Sequence, residues 1–290
     1  MKTDAEYRAF KAVNYSTLKN IRKSPKHYKH AIDNPEPENP SKYAELRAIH
    51  ALLLEPFLFE EQFAVYEGRR DKRVKEYADF LATVGDRTVI TPTERAAAQV
   101  VADAFRSHEG VESLLSQPGT EYEVAMVWDD PFTGIKCKGK ADVICVQIFE
   151  EKDQGEGMTT VKTARLTVAD LKSFYTTQAA AVASHGRKNG WFEQLAHYTR
   201  GALAKIEAEH GIAPDMVHVV WLSIIAEQKA PHDVTIIEWG ESVQNEAQRN
   251  LCKWMETLRD CLEADYWPGR GSYVNVGNLY FNDDIEGEDA

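Results

Sequence analysis

The sequence has little cysteine: four residues in 290. Cys137, Cys145, Cys252 and Cys261 form no CxxC pair, so their spacing matches neither a structural zinc site nor a disulfide framework, and they read as buried thiols. No apolar run approaches the roughly 20 residues needed to cross a bilayer. The opening segment, MKTDAEYRAFKAVNYS, mixes charges and lacks the apolar stretch of a secretory signal. A cytoplasmic protein without membrane partners is therefore expected. Positive charge is in deficit too, with 34 Lys and Arg against 46 Asp and Glu and a net charge of −12. That excludes a broadly basic polyanion-binding surface. There is no internal repeat.

The positive charge that is present is concentrated. Residues 1–30 carry eight Lys or Arg against only Asp4 and Glu6, so an acidic chain presents a basic arm that can meet a polyanion locally. Residues 15–34 read as helical, with Ser16 as a cap and Ser24-Pro25 as a second cap plus first-turn proline. The proline-rich 34–42 is a loop, and YAELRAIHALLLEP is an apolar helix ending before Pro56. Thr91-Pro92-Thr93-Glu94 has the capping-box form and starts a helix to about Ser107. After Pro118 the period changes to two. EYEVAMVWDD, IKCKGKADVICVQIF and TVKTARLTVADLKSF read as strands, with EEKDQGEGMTT as an exposed connection. Two helices follow, over 176–187 and 191–211, then a doubly buried strand MVHVVWLSIIA, a fifth strand HDVTIIEW, and a closing helix over 241–264. This order predicts a mixed α/β core (119–281) behind a helical N-terminal region (1–118) of the same domain, with a disordered acidic tail (282–290).

LTVADLKSF poses a chemical question, because it places Asp170 and Lys172 on one face at the end of an otherwise apolar strand. Burying charge is expensive unless it is paired or used. Asp142 lies in the preceding strand, Glu123 opens the one before, and Glu121 is assigned to the same strand face as Glu123, so either glutamate could be the site acid. Adjacent strands lie about 4.8 Å apart, so their carboxylates can converge on a hard divalent cation, with the lysine left to act on water or a developing negative charge. Gln194 and Tyr198, at i and i+4 on the next helix, face the same way.

This ordered set, Asp142, then D-x-K at 170–172, then QLAHY at 194–198, resembles the PDDEXK nuclease superfamily and its RecB-like branch. NYSTLKNIRKSPKHYKHAI followed by LRAIHALLLEPFLFEEQF is similar to the segment preceding the catalytic core of RecE-like exonucleases of the exodeoxyribonuclease VIII type. The likeness extends with gaps over about residues 14–200. Arg47 stands where the family has a small residue before the histidine, and Lys140 where it has an arginine. The resemblance implies a restriction-endonuclease-like αβββαβ core with a mixed central sheet. It also implies roles. Asp142, Asp170, His50 and the Leu171 carbonyl would hold Mg²⁺ (or Mn²⁺), with Glu123 as a further ligand or supporting acid. Lys172 would serve the attacking water, and Gln194 and Tyr198 would position the strand or brace the site. The cysteine placement, with Cys137 and Cys145 inside the core, implies no iron-sulfur cluster. Activity by resemblance would be 5′ to 3′ hydrolysis of linear double-stranded DNA, leaving 3′ single strands for recombination in a bacterial or phage-infected cell. The expected partners are DNA ends, further copies in a ring and a single-strand annealing protein, with Lys19, Arg22, Lys23 and Lys26 as candidate duplex contacts. A nicking or structure-specific nuclease, or a non-catalytic DNA-binding protein of the same fold, are the alternatives.

Overall fold

The computed structural model describes residues 4–35, 43–152 and 160–272. Its helices are α1 (Asp4–Ala9), α2 (Tyr15–Leu18), α3 (Pro25–Asp33), α4 (Ala44–Leu54), α5 (Phe59–Gln62), α6 (Lys75–Val84), α7 (Pro92–Ser107), α8 (Glu109–Leu115), α9 (Ala179–Asn189), α10 (Trp191–His210) and α11 (Glu241–Ala264). Its strands are β1 (Val13–Asn14), β2 (Phe63–Val65), β3 (Thr88–Ile90), β4 (Thr120–Asp129), β5 (Lys136–Lys152), β6 (Thr160–Phe174), β7 (Val217–Glu227) and β8 (Val234–Trp239). The acidic tail 282–290 and most of the prolyl loop lie outside the described residues.

Local chemistry accounts for several boundaries. Ser24 caps α3 through the amide of His27, with Pro25 in the first turn. Thr91 and Glu94 form a reciprocal capping box at the start of α7, which ends at Ser107 as its sequence predicts. Ser16 is not a cap. Asn14 takes that place, its Oδ1 accepting from the Thr17 amide at 2.9 Å, because the chain before Ser16 is already held extended as β1. β2 and β3, three residues each, pair in parallel as a separate two-stranded sheet, and α8 adds a short helix. Elements this short have too few positions for periodicity to show. The ladder of β5 with β6 runs out to Lys152 and Thr160, so Glu150 and Glu151 belong to a strand rather than to the exposed connection. Residues 153–159 of that connection lie outside the described residues.

The main sheet has the order β1-β5-β6-β7-β8, with β4 also pairing β5. Pairing is antiparallel for β4/β5, β5/β6 and β7/β8 and parallel for β1/β5 and β6/β7, so the sheet is mixed. Period-two alternation divides β6 between two cores. Leu166 and Val168 pack with Leu195 of α10 and Leu251 of α11. Ala169 and Leu171 pack with Leu52 of α4 and Phe105 of α7. Covering both faces is what lets β7 and the middle of β6 run apolar on both sides. The N-terminal helices are part of this packing, since α4 and α7 close one face of the sheet.

The sheet forks at one level. β5 and β6 stay paired from Lys152/Thr160 to Val143/Ala169 and then separate. β1 takes the place beside β5 at Cys137 and Lys138. α10 can lie close over the other end of β5 because two positions lack a side chain: a Cβ at Gly139 would sit 2.9 Å from the Tyr198 ring, and one at Gly201 would sit 2.7 Å from Trp128.

Candidate metal centre at the fork of the sheet

The fork coincides with a change of pleat phase in β4 and β5. Tyr122 pairs with Val143 and Val124 with Ala141, so regular strands would put all four on one face. Instead Val143 packs with the α4 and α7 core and Ala141 and Val124 with the α10 core, while the Tyr122 hydroxyl donates to the Leu115 carbonyl of α8. Glu123, between the two levels, has a left-handed backbone with φ 48°. That conformation costs a residue with a Cβ about 1–2 kcal/mol. The expectation that Glu121 and Glu123 share a face therefore fails. Glu121 turns to Lys205 of α10 at 2.8 Å, and Glu123 turns toward α4.

At this point side chains from separate elements meet. His50 Nδ1 lies 3.5 Å from Glu123 Oε1 and 3.7 Å from Asp142 Oδ1. One ligand atom from each of the three falls within 4.8 Å of the others. Asp142 also fills the gap where the ladder stops, its Oδ2 accepting the freed Leu171 amide at 2.8 Å. Lys140 Nζ is 2.9 Å from Glu123 Oε2. Behind this triad stands Asp170, 1% exposed, with Lys172 Nζ 2.5 Å from its Oδ2 and no hydrogen bond to its buried Oδ1. Asp170 is beside the three-donor group rather than within it.

The electrostatics are those of crowded acids. Burial first, and then the charges of Asp170 and Glu123, push the Asp142 carboxyl up to about 6 against the opposing pull of His50 and Lys172. Burial works against His50 becoming charged, but Asp142 and Glu123 outweigh it and its pKa is raised. Burial would raise Glu123, yet His50 and Lys140 hold it low. Lys172 is likewise raised, Asp170 and Asp142 overcoming desolvation, so in the metal-free protein it is an ammonium. A buried carboxylate oxygen without a donor, next to an imidazole and two more carboxylates, is a set of oxygen and nitrogen donors that fits a divalent cation such as Mg²⁺ or Mn²⁺.

Residues 14–276 match the family described as PDDEXK-like domain of unknown function (DUF3799). The chain belongs to that PDDEXK-like family. Its fold is shared by a solved structure from Eubacterium rectale described as "Putative exonuclease", with a TM-score of 0.53 at 12% identity, covering 94% of this chain and 91% of that one. No curated protein matches the sequence. The mixed sheet with helices on both faces is the restriction-endonuclease-like arrangement, and family and fold together support a nuclease.

In this PDDEXK-like chain, Gln194 and Tyr198 lie one turn apart on α10, Gln194 Nε2 donating to the Tyr198 hydroxyl at 2.9 Å. The charges of Asp142 and Asp170 add to burial in raising the Tyr198 pKa, which places the phenol within electrostatic range of the site. Trp191 carries no such expectation in the sequence, yet Lys172 Nζ sits 5.6 Å from its ring centre. The available signal was helical spacing, since 191, 194 and 198 share a face at i, i+3 and i+7. The arm is divided. Lys19, Lys23 and Lys26 are exposed, whereas Arg22 donates to the carbonyls of Arg187 and Lys188 at 3.2 and 2.6 Å, closing the C-terminus of α9. Arg47 donates to Thr88 Oγ1 at 2.8 Å and so ties α4 to β3, a role that a small residue could not fill. Among the described residues no helix is long and apolar enough to cross a membrane.

Proposed function

We propose that the protein is a Mg²⁺- or Mn²⁺-dependent deoxyribonuclease acting from the ends of linear double-stranded DNA, in the 5′ to 3′ direction, to leave 3′ single strands for recombination. The observation that carries the reading is the convergence at the fork of His50, Glu123 and Asp142 beside a buried Asp170–Lys172 pair. When bound, a divalent ion would polarise the phosphate and lower the pKa of the attacking water. His50, Glu123, Asp142 and Asp170 are the residues that would hold it, with the Leu171 carbonyl as a further donor. Lys172, kept protonated by its carboxylate neighbours, orients the water and offsets charge building on the phosphoryl oxygens. As the water oxygen bonds to phosphorus and gives up a proton to solvent, the bond to the 3′ oxygen breaks and that oxygen takes a proton from solvent, giving a 5′ phosphate and a 3′ hydroxyl. Gln194 fixes the Tyr198 hydroxyl, which leaves the phenol to align the strand. The exposed lysines 19, 23 and 26 would contact duplex phosphates. A ring of copies, giving processivity, and a single-strand annealing partner complete the proposal by analogy with RecE-like enzymes.

The test is digestion of end-labelled linear, circular and 5′-blocked duplexes with Mg²⁺. Release of 5′ nucleotides from the linear form alone, reduced a hundred-fold or more in Lys172→Ala, is the expected result. Cleavage of circles would replace it with a nicking or structure-specific activity. No hydrolysis with Mg²⁺ or Mn²⁺ would leave a non-catalytic DNA-binding protein.

A further inference from the structure

Next to the metal centre an aromatic group has no part in the chemistry described so far. Lys172 joins the two, with its Nζ 2.5 Å from Asp170 and 5.6 Å from the centre of the Trp191 ring. From Trp191 the rings continue outward. Phe174 meets it edge-on at 5.6 Å, His185 at 5.0 Å, and Tyr175 packs on Phe174 at 4.3 Å. Phe174 is buried, Trp191 and His185 are half-buried, and Tyr175 at the outer end is 70% exposed.

Exposed rings occur elsewhere on this surface, and what sets Tyr175 apart is its contact with a ring cluster that reaches Lys172. The backbone beneath Tyr175 is held from just past β7, where the Gln228 amide donates to the Phe174 carbonyl at 2.9 Å. Just beyond, the Thr177 hydroxyl donates to Asp233 at 3.2 Å. Phe174 is anchored in the main core. Burial and then Lys188 lower the His185 pKa, so that ring is neutral at neutral pH. Arg187, paired with Glu246 at 3.4 Å, and Lys188 lie in the last turn of α9 just before Trp191, and Arg22 donates to their carbonyls. An apolar shelf with a cationic margin, beginning at the lysine that would face the scissile phosphate, has the chemistry of a single-strand site: rings for base faces and positive charge for the backbone. A duplex interior offers no base face to such a shelf.

We infer that Tyr175, His185 and Trp191 form a stacking shelf for an unpaired nucleobase beside the scissile phosphate, so that the cleaved strand enters the site as a single strand, separated from its complement. The inference rests on the nuclease reading and names the state of its substrate. Tyr175 is a positioning residue, acting on the base while Lys172 and the acids act on the phosphate.

The experiment measures equilibrium binding of the full chain, in EDTA to prevent hydrolysis, to a fluorescein-labelled oligothymidylate and to a dumbbell duplex closed at both ends. Tyr175→Ala should weaken single-strand affinity about ten-fold while changing dumbbell affinity less than two-fold. Tyr175→Phe, which keeps the ring, should restore single-strand binding to within two-fold of wild type. Unchanged single-strand affinity in Tyr175→Ala, an equal loss on the dumbbell, or no rescue by phenylalanine would overturn the shelf. Wild-type hydrolysis of linear DNA in Mg²⁺, assayed separately, distinguishes the two levels. Hydrolysis without the Tyr175→Ala binding defect removes the shelf and leaves the nuclease, whereas no hydrolysis removes the nuclease reading on which the shelf depends.

Discussion

Two places in this molecule gather a buried carboxylate, a cation and a histidine, and they differ in what is left over. Around Asp130 every carboxylate oxygen has a donor. Oδ1 accepts from the amides of Phe132 and Thr133 and the Thr133 hydroxyl, and Oδ2 is paired with Arg200. His197, nearby, is bonded to the Lys138 carbonyl at 3.0 Å and packs edge-on against Trp128. At the fork, Asp170 keeps a buried oxygen with no hydrogen bond, Asp142 is pushed up to about 6 by burial, and Glu123 sits in a left-handed backbone. Even the turns differ, since the Asp130 hairpin places Gly134 at its positive φ of 69°, where the fork has a glutamate. Buried charge is common to both places. The closed end leaves only donors unmet, Arg200 Nε and Trp128 Nε1, whereas an unmet carboxylate oxygen and a left-handed non-glycine residue belong to the fork, and these are the marks of a site built for a cation to complete.

The comparison can be broken most directly at the closed end. Arg200→Ala strands a buried carboxylate and should lower unfolding free energy by about 3–5 kcal/mol in urea titration. Replacing Asp130 and Arg200 together should cost less than either alone. A single-site loss below about 1 kcal/mol would make the pair incidental. The histidines come next. Burial, reinforced by Arg200, holds His197 down at about 4 against 6.5 for the ordinary group. The folded state thus binds fewer protons between those values, and its stability should fall as pH drops from about 6.5 through about 4. The full span is about 3 kcal/mol. His197→Gln should flatten that slope in pH-dependent denaturation.

The open end should respond to ions where the closed end does not. Mg²⁺ or Mn²⁺ at a hundred times its Kd should raise unfolding free energy by about 2.7 kcal/mol. Thermal shift should show this gain in Arg200→Ala and lose it in Asp142→Asn. The smallest effect concerns the backbone. Glu123→Gly should be more stable than Glu123→Ala by about 1 kcal/mol, because only glycine adopts the positive φ without strain. Equal stabilities would show that the left-handed turn carries no cost.

Much of this was legible in the chain. The capping box at Thr91, the Ser24-Pro25 start of α3 and the runs that became β4 to β8 follow from local rules, and each survives because tertiary packing asks for the same thing. The D-x-K pair announced itself as charge at the end of an apolar strand. What could not be read depends on a break in the pattern being used. Period two placed Glu121 and Glu123 together, and one positive φ separates them, sending Glu121 to Lys205. Arg22 is expected as a phosphate contact, and only the structure shows its Nη1 bonded to carbonyls at the end of a helix 165 residues away. Trp191 and Tyr175 gave no chemical signal, since an aromatic residue in a sequence reads as core until its exposure is known.

The sequence by itself determined the longer elements and the apolar faces of their strands, because these depend on propensities and periods that act over a few residues, and its acids, lysine and histidine stand in an order that resembles a nuclease's. Only the tertiary structure decided which of those groups meet. His50 reaches Glu123 and Asp142 across more than 70 positions of chain because α4 packs on the sheet where β5 leaves β6. That fork is a property of strand pairing, and no stretch of sequence contains it.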